Sequence, residues 1–213
     1  MVGDDEREPL TGTRRERLRI LMQDEIIDAA RRIVQERGFK ALSMRALGRE
    51  VGVTAPTLYD YYANKDAVLD ALFCAGADRL CQSFAEAIAA NPPGLPRLRA
   101  LAMAYRSFAR TDPDLFHLVF AKVDAAYQPS EAVLPHAAAV FALVVETVRE
   151  GMDLGHLRAD DPVAVALATW GMTHGTVMLE ITGHLVGCSP SDADIVFARN
   201  LDLLYAGLGA ASA

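Results

Sequence analysis

The segment Ala41–Lys65, ALSMRALGREVGVTAPTLYDYYANK, limits what this chain can fold into more than any other. Two short helical stretches flank Val51-Gly52-Val53, and glycine suits a turn that needs a positive φ. Ser43 is placed to N-cap the first stretch, which Gly52 breaks after Val51. Thr54 is placed to cap the second, with Pro56 in its first turn. Leu47, Val51, Val53 and Leu58 give the pair apolar faces. These can pack on a preceding helix, about Arg15 to Glu36, whose Ile26, Ala30, Ile33 and Val34 fall at helical spacing and which Gly38 stops. Such a pair is a helix-turn-helix pattern, whose second helix enters a DNA major groove about 12 Å wide.

The rest of the chain carries the same kind of punctuation. No period-2 run of β-branched residues bounded by turns reads as a strand. Asn64 precedes a long helix from about Lys65 to Ala90, halted by Asn91-Pro92-Pro93-Gly94. Further helices are predicted at about 96–110, 113–123, 130–150 (closed by Gly151, with Pro135 able to delay its start to Leu134), 161–182 and 191–207. The expected fold is all-α with about nine helices: an N-terminal three-helix bundle with the helix-turn-helix, and a C-terminal helical domain for ligand binding and dimerisation. The expected divisions are a disordered tail over 1–13, a DNA-binding domain over 14–64 and an effector-binding and dimerisation domain over 65–213.

A net charge of -7 argues against a nucleic-acid binder until its distribution is read. Residues 10–65 hold eleven Lys or Arg against seven Asp or Glu, whereas the remainder holds ten against 21. A basic head on an acidic body suits phosphate binding at one end. Cys74, Cys81 and Cys188 form no CxxC and, with a polar, acidic start in place of a leader, read as reduced thiols of a cytoplasmic protein. The spacing of Cys74 and Cys81, two helical turns or roughly 10 Å, rules out a disulfide within one helix. Pro162–Leu179 contains no charged residue and approaches the length of a membrane span. Its Thr169, Thr173, His174 and Thr176, the preceding Asp160-Asp161 and the lack of bracketing Lys or Arg favour a helix buried in a core or subunit interface. No GxSxG, Gly-rich phosphate loop or paired acids suggest an enzyme. No histidine spacing suggests a metal, and no cofactor is expected. A helical adaptor that retains a DNA-binding-like head is the other rival.

Phosphates need hydroxyls, amines and free helix-start N–H groups. Ser43, Thr54, Thr57, Tyr59 and Lys65 supply them. Arg45 has two readings, a two-pronged contact to a guanine edge or a surface ion pair. Ala55, Pro56 and Thr57 are placed to touch thymine methyls. Arg14, Arg15, Arg17 and Arg19 read either as an arm before the first helix that adds phosphate or minor-groove contacts, or as a solvated helix face.

Residues 22–73 resemble the N-terminal domain of TetR/AcrR-type transcriptional regulators. The resemblance rests on Ile27-Asp28-Ala29-Ala30, Gly38-Phe39, Ser43-Met44-Arg45-Ala46-Leu47, Val51-Gly52-Val53, Pro56-Thr57-Leu58-Tyr59, Tyr61-Tyr62 and Asn64-Lys65. It implies that Arg45 and the tip Ala55, Pro56 and Thr57 read bases. It further implies that Ser43, Thr54, Thr57, Tyr59, Tyr62 and Lys65 contact the backbone or support those contacts. Gly48 departs from the family's usual alanine, and Asp60 on the recognition helix either accepts from cytosine or repels phosphate. Trp170, His174 and Gly175, with the spacing of Tyr105, Phe108, Pro113, Phe116 and Phe120, resemble a subgroup with a W…HG signature.

The aromatics Tyr105, Phe108, Phe116, Phe120, Tyr127, Phe141 and Trp170 read either as core or as cavity walls, since both are lined alike. His174 reads as a ligand-facing group or as a hydrogen-bonding partner inside the late helices. The expected effector pocket is therefore Tyr105, Phe108, Phe116, Phe120, Phe141, Trp170 and His174. Ala164, Ala166, Ala168, Gly171 and Gly175 would let two copies approach closely through about 161–207. The resulting expectation is a sequence-specific, DNA-binding homodimer. By resemblance it would repress from a near-palindromic operator in double-stranded DNA and be released by a small-molecule effector, with activation as the alternative sign of regulation.

Overall fold

The computed structural model describes residues 13–121, 127–185 and 189–209. Its helices are α1 (Arg14–Arg37), α2 (Met44–Val51), α3 (Ala55–Tyr59), α4 (Lys65–Ala90), α5 (Leu95–Thr111), α6 (Pro113–Phe120), α7 (Leu134–Asp153), α8 (Pro162–Ile181) and α9 (Pro190–Tyr205). Short 3-10 turns at Phe39–Ala41 and Glu131–Val133 complete the order. Among the described residues the only β pairing is an isolated bridge between Leu157 and Gly209. The chain forms two compact units that divide between Leu72 and Phe73, inside α4.

The caps follow from the residues at the helix ends. Thr13 and Glu16 form a reciprocal capping box on α1: the Glu16 amide donates to the Thr13 hydroxyl, and the Thr13 amide donates to the Glu16 carboxylate at 2.6 Å. These hydrogen bonds hold the Glu16 carboxyl below its ordinary pKa. Asp112 caps α6, Asp161 caps α8, and Ser189 with Asp192 boxes α9. Of the tail expected over 1–13, Thr13 is this cap, and residues 1–12 lie outside the described part.

In the first unit, Ile26, Ala29, Ala30, Ile33 and Val34 of α1 are buried with Ala46, Leu47 and Leu58. α1 packs on α2, and α2 on α3. In the second unit α5 is central, packing on α6, α7 and α8, while α8 also packs on α7 and α9. Gly76 on α4 allows that packing to be close, since a Cβ there would lie 2.8 Å from Leu115 Cγ of α6.

One polar cluster ties three helices together. Arg106 of α5, only 4% exposed, grips Glu180 of α8 with Nε to Oε2 at 2.7 Å and Nη2 to Oε1 at 2.9 Å. It also reaches Asp194 of α9 at 2.8 Å, and its guanidinium lies over the Phe197 ring at 4.6 Å. Burial works against the Arg106 charge, but Glu180 and Asp194 outweigh it and raise its pKa.

The structure corrects four expectations. Of the two readings of Arg14, Arg15, Arg17 and Arg19, the arm before the first helix gives way to the exposed helix face: all four lie in the first two turns of α1, which Thr13 caps. α6 ends at Phe120, where Ala121 turns extended, rather than near 123, and residues 122–126 lie outside the described part. Gly151 does not close α7, which continues to Asp153. A Cβ at Gly151 would lie 2.7 Å from Leu157 Cδ1, so that glycine makes room for packing, and the left-handed turn falls at Gly155 (φ 71°). Ala166 is wholly buried within its own chain and cannot serve close approach of a second copy.

Candidate nucleic-acid interface and interior cavity

The Ser43 hydroxyl accepts from the Ala46 amide at 3.2 Å and so starts α2. A hydroxyl used this way still has its own O–H to donate. Gly52 ends α2 in the left-handed region at φ 77°, ψ 24°. The chain then doubles back tightly, with the Val53 amide donating to the Gly48 carbonyl at 2.9 Å. A methyl on Gly48 would sit 2.8 Å from the Val53 carbonyl oxygen. In this chain the turn is drawn in so closely that an alanine at this position would require the Val53 carbonyl to shift.

Thr54 caps α3, accepting from the Thr57 amide at 3.4 Å, and the two hydroxyls lie 2.9 Å apart. Leu58 is fully buried and anchors α3. Around it Pro56 is exposed, Ala55 and Thr57 are half-buried, and Tyr59 is 53% exposed. Arg45 is exposed at the start of α2. The structure thus brings Ser43, Arg45, Thr54, Ala55, Pro56, Thr57 and Tyr59 onto two adjoining helix starts in one unit. Tyr62 is half-buried, and burial followed by the Asp24 charge raises its phenol pKa, so it stays neutral. Lys65 Nζ donates to the Phe39 carbonyl at 3.3 Å, tying the start of α4 to the 3-10 turn.

Asp60 is the C-cap of α3, and its main-chain carbonyl accepts from Arg19 Nη2 at 3.1 Å. The Arg19 guanidinium lies 5.6 Å over the Tyr61 ring. Arg14, Arg15, Leu18, Arg19, Asp60 and Tyr61 line one open groove. The i, i+4 spacing of Arg14 with Leu18 and Arg15 with Arg19 was the sequence signal for this face.

The second unit holds a partly open cavity of about 160 Å³ lined by Phe84, Tyr105, Val119, Phe120, Ala137, Val140, Phe141, Val144 and Trp170. Tyr105, Phe120, Phe141 and Trp170 of the expected pocket are brought together there. Phe108, Phe116 and His174 are not in its lining; they pack behind it. Phe116 is fully buried and stacks on the His174 ring at 5.8 Å. Phe116 also meets Tyr105 and Phe120 at 5.3 and 5.0 Å, and lies 6.3 Å from Phe108. Tyr105 Oη is 2.7 Å from His174 Nδ1 and receives the Trp170 indole N–H at 3.4 Å. Burial lowers the His174 pKa from 6.5 and raises that of Tyr105, so the pair is uncharged near neutrality. Sequence reading missed Phe84, Val119, Ala137, Val140 and Val144, whose apolar types carry no signal that separates cavity from core.

Cys74 and Cys81 are unbridged and half-buried on α4, with burial raising the Cys81 thiol pKa; Cys188 lies outside the described residues. No cluster of three or more metal-ligating side chains occurs among the described residues. The uncharged stretch Pro162–Leu179 falls within α8. The one described helical stretch long and apolar enough to cross a membrane is a different one, Glu131–Asp153, and core helices pass the same measure.

A chain whose described elements are helices, with a helix-turn-helix in one unit and a helical body in the other, is built as a helix-turn-helix regulator of transcription. Residues 26–72 match the family described as bacterial regulatory proteins, tetR family, and residues 98–204 match the tetracyclin repressor-like C-terminal domain. The chain belongs to the TetR family of DNA-binding transcriptional regulators. It is 24% identical over 193 residues to an uncharacterised HTH-type transcriptional regulator of Mycobacterium tuberculosis, covering 88% of this chain and 82% of the relative. A solved protein of unknown function from Rhodococcus sp. RHA1 superposes with a TM-score of 0.78 at 26% identity, covering 95% of this chain and all of that one. The transcriptional regulator FadR from Bacillus subtilis, solved in complex with stearoyl-CoA, shares the fold with a TM-score of 0.71 at 19% identity, covering 86% and 98%.

Proposed function

We propose that this chain is a cytoplasmic homodimeric repressor that holds a near-palindromic operator through two copies of α3 and is released by a small-molecule effector. The observation that carries the DNA reading is the pair of capped helix starts at Ser43 and Thr54. Both present hydroxyls, and Pro56 and Tyr59 stand exposed beside them on a turn locked by Gly48. Ser43, Thr54, Thr57, Tyr59, Tyr62 and Lys65 hold or support phosphate contacts, while Arg45 with Ala55, Pro56 and Thr57 reads base edges. The groove formed by Arg14, Arg15 and Arg19 adds phosphate contacts beside α3.

The exposed apolar faces of α8 and α9 form the dimer seam, which sets two recognition helices about 34 Å apart. The effector occupies the cavity whose wall includes Phe84 of α4, the helix that continues back to Lys65. It acts only through the difference in its affinity for the DNA-bound and released arrangements.

The test is a gel shift with DNA flanking the protein's own gene. Arg45→Ala is expected to cost about 1–3 kcal/mol, roughly tenfold to a hundredfold in affinity, and to relax the preference at one base position. An Arg45→Ala protein with wild-type affinity and the same base preference would remove Arg45 from the reading set.

A further inference from the structure

We infer that the cavity takes an uncharged, single-ring apolar molecule, such as a small arene or a monocyclic hydrocarbon. This rests on the reading above that the cavity is the effector site. Size gives the first limit. About 160 Å³ is half the lower bound of ordinary drug-sized pockets, roughly 300–1,000 Å³. It is close to the roughly 150 Å³ apolar cavity that stays dry and admits benzene.

Charge gives the second limit. Phe84, Val119, Phe120, Ala137, Val140, Phe141 and Val144 offer no polar side-chain atom at all. The polar groups of the lining are the Tyr105 hydroxyl and the Trp170 indole N–H, and these already bond to each other. The Tyr105 hydroxyl is further engaged by His174 Nδ1. A carboxylate, phosphate or ammonium would enter with no partner of opposite sign in the wall, and burying an unpaired charge is strongly unfavourable.

Shape gives the third. Phe84, Phe120, Phe141 and Trp170 all line the cavity, with Trp170 tilted against Phe120 and Phe141 at 6.2 and 5.9 Å, and an aromatic lining of this kind favours a ring over a flexible chain. One Tyr105 lone pair remains after its bonds to His174 and Trp170 when the hydroxyl donates to His174, so a single hydroxyl on the ring can be accommodated.

The chain has one tryptophan, and it lines the cavity, so its emission reports occupancy. The experiment titrates the full chain with toluene, benzoate and decanoate while following Trp170 fluorescence, and repeats each titration on the gel shift. Toluene is expected to change the emission saturably, with benzoate and decanoate at least tenfold weaker. Ala137→Phe, which fills the cavity, is expected to lose the toluene response, and Ala137→Leu to weaken it, with circular dichroism confirming that each is folded. Toluene binding that also lowers DNA affinity supports both the ligand class and the effector reading. Toluene binding with DNA affinity unchanged supports the ligand class and overturns the effector reading. Benzoate or decanoate binding as well as toluene overturns the ligand class, and release of DNA by either leaves the effector reading standing. No response to any probe, or a toluene response undiminished in folded Ala137→Phe, overturns the inference.

Discussion

At the scale of single residues, Gly48 shows how one missing methyl sets a motif. Alanine would gain about 0.8–1.0 kcal/mol of helix propensity over glycine. Against that, its Cβ would meet the Val53 carbonyl oxygen, a backbone atom that cannot rotate away, and overpacking costs about 1–3 kcal/mol. Gly48→Ala is therefore expected to lose about 1 kcal/mol net, read as a lower urea midpoint, with weaker DNA binding. His174 makes a second prediction. Burial holds its folded pKa below the ordinary 6.5, so as pH falls through 6.5 the unfolded chain takes up a proton that the folded chain refuses. Stability is full above pH 6.5 and declines below it until the folded value is reached. Urea midpoints at pH 7.5 and 5.5 should fall further in the wild type than in His174→Gln. Ser43 and Thr54 were legible as caps because capping is local chemistry. Gly48 was legible only as an oddity, because its neighbour is a carbonyl that arrives after the turn.

Helices, the next scale up, are held by a few cross-links as well as by apolar packing. Arg106 joins α5 to α8 and α9 through Glu180 and Asp194. Removing it leaves Glu180, whose side chain is only 12% exposed, facing a hole without its bidentate partner. Breaking such a pair costs about 3–5 kcal/mol, and Arg106→Ala should show a loss near the lower figure by urea unfolding, because Arg110 remains 3.5 Å from Glu180. Nothing in the sequence paired Arg106 with Glu180, since the contact crosses 74 positions. Most helix starts were legible from Thr, Ser, Asp and Pro. Ends were less so, as α7 shows: Gly151 has the residue type of a stop but serves Leu157, while Gly155 takes the left-handed turn. The cavity was half legible for the same reason. Its aromatics stand out in any sequence, whereas Val119, Val140 and Val144 look like ordinary core until the fold leaves space beside them.

For the whole molecule, the question is what covers α8 and α9. Val163, Leu167, Met172 and Leu179 of α8 are exposed, and a Cβ at Gly171 or Gly175 would meet open space. Ile195 and Leu203 of α9 are each 67% exposed. Exposed apolar side chains gathered on two helices that pack on each other mark an interaction surface. The double substitution Ile195→Glu and Leu203→Glu should convert the dimer to a monomer in sedimentation velocity and cut operator binding by more than Arg45→Ala does. An undisturbed dimer would place the seam elsewhere. α8 is the same helix that turns Trp170 toward the cavity and Gly171 and Gly175 away from it. In a twofold pair, the thickness of one helix would then separate each occupant from the other copy. On the effector reading, a dose response that departs from a simple hyperbola would show that the two cavities are coupled through those helices.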